Sequence, residues 1–176
     1  MTDHSQAQAR DMLCQFIDTH FQEQVETLAQ LVQCPSDNPP GDCAPHAEVA
    51  ARLLEGMDLV VERHAVPPAF ARQHGMRSVT NLIVRERFGN GPVIVLNAHG
   101  GVVPPGSGWT GSPYSGEVRD GWLYGRGAAD SKSDFTTYAF ALRALEQLRA
   151  GRTQLAGTGG LHLTYDEETG GMAGPR

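Results

Sequence analysis

Apolar residues return every three or four positions at Leu13, Phe16, Ile17, Phe21, Val25, Leu28 and Val32, which predicts one amphipathic helix over residues 11–33. Pro35 stops it, and residues 34–42 (CPSDNPPGD) form a loop dense in turn formers. A second helix is predicted to start near Pro45, where a missing N–H costs nothing, and to end at Gly56. Residues 59–66 (LVVERHAV) have strand character, which Pro67 and Pro68 break. Two further strands, 79–88 and 92–98, are predicted to pair as a hairpin through Gly89-Asn90-Gly91. A smaller hairpin is expected over 115–125, with Asp120-Gly121 supplying the turn. Phe135, Tyr138, Leu142, Leu145 and Leu148 mark a helix from 131 to 150, closed by Gly151. A last strand, 161–168 (LHLTYDEE), runs into three acids. Helices and strands in this order predict an α/β fold, a mixed sheet flanked by helices.

With 176 residues, 40% of them hydrophobic, the chain is long enough for one domain with a real core. A net charge of −6, with no cluster of Lys or Arg, argues against nucleic acid as a partner. Cys14, Cys34 and Cys43 are odd in number and form no Cys-x-x-Cys pair. A disulfide framework is therefore not expected, and a reducing cytoplasm is the expected location. The polar N-terminus lacks the apolar segment of a signal peptide, and no apolar run is long enough to span a bilayer, so no membrane partner is expected.

Three short stretches carry chemistry. His99 ends an apolar strand and opens a glycine-rich loop, where α/β sheets collect ligands. By itself it reads first as a histidine hydrogen-bonded at the mouth of a loop. Gly125-Arg126-Gly127 invites a dinucleotide-binding reading, but Asp130 stands where a phosphate would meet the following helix. A carboxylate there suits a cation, or it caps the helix. Asp166-Glu167-Glu168 is either a solvated turn or a pair of glutamates aimed at one cation, one ligating it while its neighbour handles a proton. All three stretches lie at or just after strand ends, so they can converge on one sheet edge, and His, Asp and Glu are the donor set of a hydrolytic zinc centre.

In order along the chain, SDNPPGD (36–42), Thr80-Asn81-Leu82-Ile83, HGGVVPPGSGW (99–109), DGWLYGRGAADSK (120–132) and DEETGG (166–171) are five motifs. Together they resemble those of the dinuclear zinc amidohydrolases and peptidases, the family of acetylornithine deacetylase, succinyl-diaminopimelate desuccinylase, aminoacylase and glutamate carboxypeptidase. The resemblance implies a zinc-aminopeptidase-like catalytic domain and hydrolysis of an amide bond in a small N-acyl amino acid or peptide. It implies that His99 and Glu168 each bind one zinc (cobalt or manganese being alternatives), that Asp130 bridges the two, and that Glu167 is the general base. Paired cations in such a centre lower the pKa of water and polarise the scissile carbonyl.

Two departures stand out. Where the family has an Asp two residues after the ligand His, to hold its ring, this chain has Gly101, which offers no side chain and is expected to leave the loop free to move. Family members also continue past the Glu-Glu pair with a further acidic ligand, a lid domain and a last ligand His. Residues 1–176 are thus expected to be the N-terminal portion of a catalytic domain, incomplete, with the lid domain absent and inactive alone. The alternatives are one chain of a split enzyme, completed by a separate C-terminal chain, and a non-catalytic binding module that retains the fold.

Overall fold

The computed structural model describes residues 3–151 and 153–174; Met1, Thr2, Arg152, Pro175 and Arg176 lie outside them. The elements in chain order are α1 (Asp3–Thr19), α2 (Phe21–Gln33), α3 (Ala44–Glu55), β1 (Val61–Ala65), α4 (Pro68–Gln73), β2 (Thr80–Arg87), β3 (Val93–His99), β4 (Glu117–Arg119), β5 (Trp122–Tyr124), α5 (Lys132–Ala150) and β6 (Thr158–Thr164). A 3-10 turn, Glu167–Thr169, follows β6.

The long N-terminal helix is two. At His20 the backbone leaves the helical region (φ −102°, ψ 11°), and its ring Nδ1 bonds the Phe16 carbonyl at 2.8 Å, at the break between α1 and α2. Pro67 and Pro68 do more than break β1. Pro68 sits in the first turn of α4, where its fixed φ starts a helix and its missing N–H is not needed.

Strands β1, β2, β6 and β3 form one sheet in that order, and β4 and β5 form a separate two-stranded hairpin. The β4–β5 turn is as expected, with Asp120 and Gly121 at φ 52° and 80°. The expected β2–β3 hairpin does not form. Instead β6 lies between them, antiparallel to β2 and parallel to β3. The Gly89-Asn90-Gly91 segment grips the start of β6 rather than closing a turn: Phe88 and Gly89 N–H both donate to the Gly157 carbonyl, and Thr158 N–H donates to that of Pro92.

Alternation along the strands sends Leu82 and Val84 of β2, Leu161 and Leu163 of β6 and Ala98 of β3 to one face. There they pack with Ala47, Ala50, Ala51 and Leu54 of α3 and Phe135, Ala139, Phe140 and Leu142 of α5, while α1 and α2 pack on α5. The outer edge of β3 is open, with Val93 and Ile94 69% and 62% exposed. No helix among the described residues is long and apolar enough to cross a membrane.

Candidate metal centre

The parallel pairing of β3 and β6 sets His99 opposite Thr164, so both strands deliver their C-terminal ends to the same sheet edge. His99 is the last residue of β3, and Glu167 and Glu168 follow β6 in the 3-10 turn. Asp130 arrives from a third direction, immediately before the start of α5. His99 Nε2 is 3.5 Å from Asp130 Oδ1 and 3.8 Å from Glu167 Oε2. One donor atom each from His99, Glu167 and Glu168 lie within 4.8 Å of one another. The four residues singled out in the sequence therefore converge.

Two of the bland alternatives, for Asp130 and Asp166, meet an observation. Asp130 does not cap α5: the N-cap is Ser131, whose hydroxyl donates to Asp134, and the Asp130 carboxylate is 84% exposed beside His99. Asp166 is not part of a solvated turn. It is 2% exposed, its carboxylate accepts the Ala173 N–H, and its carbonyl accepts the N–H groups of Thr169 and Gly171. Those bonds fold the acidic segment back on itself and leave Glu167 and Glu168 at the rim.

Gly101 behaves differently from the sequence expectation. Far from freeing the loop, it is buried within a pinned segment. Gly100 N–H donates to Thr164 O at 2.8 Å, Val102 N–H to Ser36 O at 3.1 Å, and Asn38 N–H to Val102 O at 2.7 Å. A Cβ on Gly101 would lie 2.5 Å from the Tyr165 carbonyl oxygen. His99 Nδ1 lies 2.9 Å from the Gly101 carbonyl oxygen, which leaves Nε2 facing the acids.

Several supporting residues had no signal of their own. Asn38 is buried and donates both to the Tyr165 carbonyl and to the Thr169 hydroxyl, each at 3.4 Å, tying the proline-rich loop to the acidic turn. Beneath the turn, Tyr165 OH is 2.8 Å from His46 Nδ1, and His46 Nε2 is 3.1 Å from the Leu31 carbonyl. Lys132, buried at the first position of α5, donates to the Leu31 and Cys34 carbonyls at the C-terminal end of α2. An ammonium there meets the negative end of that helix. Burial nevertheless pushes Lys132 down to about 8, and burial, with Lys132 nearby, holds His46 well below its usual range. On the other flank Arg126 lies over the Trp109 ring and donates to Pro105 O at 3.1 Å, holding down the loop after His99. A cavity of about 220 Å³ opens there, lined by Val102, Val103, Arg126, Asp130 and Glu168.

The donor set fits zinc. Bonds of about 2.0–2.2 Å in tetrahedral geometry hold neighbouring ligand atoms roughly 3.3 Å apart. The 3.5 Å between His99 and Asp130 is close to that, while the donor atoms of His99, Glu167 and Glu168 are spaced more loosely, within 4.8 Å of one another.

The profile of peptidase family M20/M25/M40 matches residues 95–176. A succinyl-diaminopimelate desuccinylase from Wolinella succinogenes is 35% identical over 144 residues, 82% of this chain and 34% of the relative. One from Xanthomonas campestris pv. campestris is 42% identical over 110 residues, 61% of this chain and 28% of the relative. Human carnosine dipeptidase 1 superposes with a TM-score of 0.67 at 26% identity, covering 93% of this chain and 36% of its own. The fold is also that of an M20 metallo-carboxypeptidase from Sulfolobus solfataricus, with a TM-score of 0.69 at 19% identity over 85% of this chain and 32% of that one. The chain spans about a third of the length of the curated relatives it matches.

Proposed function

Because the chain belongs to peptidase family M20/M25/M40, whose members are metal-dependent hydrolases, we propose that residues 1–176 are the N-terminal portion of a zinc amidohydrolase's catalytic domain. In this reading His99, Asp130 and Glu168 hold the metal, with Asp130 shared between two ions, and Glu167 is the general base. The substrate is a small N-acyl amino acid, or failing that a short peptide; the names of the desuccinylase and dipeptidase relatives support that class. Zinc held by these residues supplies charge that polarises the amide carbonyl and eases ionisation of water.

The chain's own residues do the rest. Glu167, with its carboxylate 60% exposed at the rim, is free to take a proton from an attacking water and return it to the departing amine. The cavity beside Asp130 and Glu168 is smaller than a whole ligand site and takes one end of a small substrate. Products are a carboxylate and an amine.

The observation that carries this reading is the approach of His99 Nε2 to Asp130 and Glu167 from three separate segments. Calorimetric titration with zinc tests it. The wild-type chain is expected to bind zinc, His99→Ala and Asp130→Ala to lose most of that affinity, and Glu167→Gln to keep it. A wild type that takes up no zinc, or a His99→Ala chain that binds as well, sinks the assignment.

A second reading, one chain of a split enzyme, is supported by the open edge of β3 and its exposed valines and isoleucine. It predicts amide hydrolysis only after a separately made C-terminal polypeptide is added; silence on mixing counts against it.

A further inference from the structure

We propose that the main-chain carbonyl of Gly101 is the group that orients His99 for the metal, and that Tyr165 keeps position 101 free of any side chain. The inference rests on the zinc-ligand reading of His99. A carbonyl oxygen can only accept, so in the neutral ring the proton sits on Nδ1, 2.9 Å from Gly101 O, and Nε2 is left bare. That bare nitrogen is the one facing Asp130 and Glu167. Ligand histidines commonly donate their second N–H to a carboxylate, a backbone carbonyl or water, and here the backbone takes that part.

The carbonyl is held in position from both sides. Gly100 is tied to Thr164 and accepts the Ser36 hydroxyl through its own carbonyl, while Val102 is tied to Ser36 and Asn38. The peptide between them has little freedom to swing, which a surface glycine would otherwise have. The Cα of Gly101 faces Tyr165: an added Cβ meets the Tyr165 carbonyl oxygen at 2.5 Å and its carbon at 3.3 Å. An aspartate at 101 would therefore project toward β6 rather than toward His99. To fit, it would have to push apart β3 and the backbone two residues before Glu167. Gly101 acts as a positioning residue through its backbone, and packing against Tyr165 excludes a side chain at its position.

Two measurements test this. In the metal-free wild type, imidazole 15N NMR, with the His99 signal identified by its loss in His99→Ala, is expected to show the proton on Nδ1. A neutral ring with its proton on Nε2 overturns the proposal, and this arm needs no altered position 101. In zinc titrations, Gly101→Asp and Gly101→Ala are both expected to weaken binding by roughly 10–100-fold, the usual effect of disturbing such a partner. A folded Gly101→Asp chain that binds zinc more tightly than wild type overturns it as well. Failure of the metal-centre reading looks different: the Nδ1 tautomer with no zinc uptake keeps the orienting bond and removes the metal assignment.

Discussion

Replacing Tyr165 by Phe removes one oxygen atom from beneath the acidic turn. Tyr165 and His46 are both fully buried, and the hydroxyl is 2.8 Å from His46 Nδ1. The Leu31 carbonyl can only accept, so His46 Nε2 carries the ring's proton, and burial keeps the ring neutral. His46 Nδ1 is then an acceptor, and Tyr165 is the donor that satisfies it. The Phe variant leaves that nitrogen dry and unpaired, at a cost of about 1–3 kcal/mol. For a chain of this length the loss corresponds to a fall in Tm of about 2–12 °C. Thermal unfolding followed by circular dichroism at pH 7 measures it. A His46→Leu background serves as the control, since there the same change should cost far less. A Tm within one degree or so of wild type, or an equal loss in both backgrounds, would refute the assignment of the stability to this hydrogen bond.

Other consequences can be checked in the same way. The unfolded chain keeps Lys132 protonated up to about 10.5, whereas the folded chain releases the proton near 8, so the unfolded state holds more protons between those values and stability rises with pH across them. The rise amounts to roughly 3 kcal/mol at most. Cys43, pushed up by burial to about 12 from 9.0, acts in the opposite sense. The informative quantity is therefore wild type minus Lys132→Met in urea unfolding, and parallel profiles from pH 8 to 10.5 would dismiss the effect. His46 should make the protein less stable as pH falls below about 6.5, because the unfolded ring takes up a proton that the buried ring refuses. Asp166→Ala removes the acceptor for Ala173 N–H, so residues 167–174 should become faster to cleave in limited proteolysis and zinc affinity should drop; unchanged cleavage speaks against Asp166 as the anchor. The open edge of β3 should make the wild-type chain self-associate in sedimentation velocity and Ile94→Lys should reduce that; a monomeric wild type, or no change in the variant, would show that this edge does not mediate association.

Much of this was legible along the chain, and the failures share a cause. Local periodicity located α3, α5 and the β4–β5 turn within a residue or two, because each depends on neighbours in sequence. The β2–β3 hairpin was misread because the strand that separates them lies some sixty residues further on, and no turn residue announces an insertion. Likewise Pro67-Pro68 stops β1 and starts α4 by the same fixed φ, and only packing decides which matters. His99, Asp130, Glu167 and Glu168 stood out because residue type and strand-end position coincide at each. Tyr165, His46, Lys132 and Asn38 did not, since a buried polar network is defined by who faces whom. Gly101 was legible as a departure but not in its effect: a missing side chain points to looseness, whereas the backbone on either side of it is fastened.

The order of strands bears on how the chain is made. With β6 in the middle of the sheet and last of the described strands, β2 and β3 cannot be joined until residues 158–164 exist. During synthesis at about 5–20 residues per second, the nascent chain carries two unpaired strand edges for several seconds before they close. His99 and Asp130 emerge from the ribosome well before the segment that brings Glu167 and Glu168 to them. The candidate metal centre shares that dependence: Glu167 and Glu168 can come beside His99 and Asp130 only on a chain whose central strand has already slotted in.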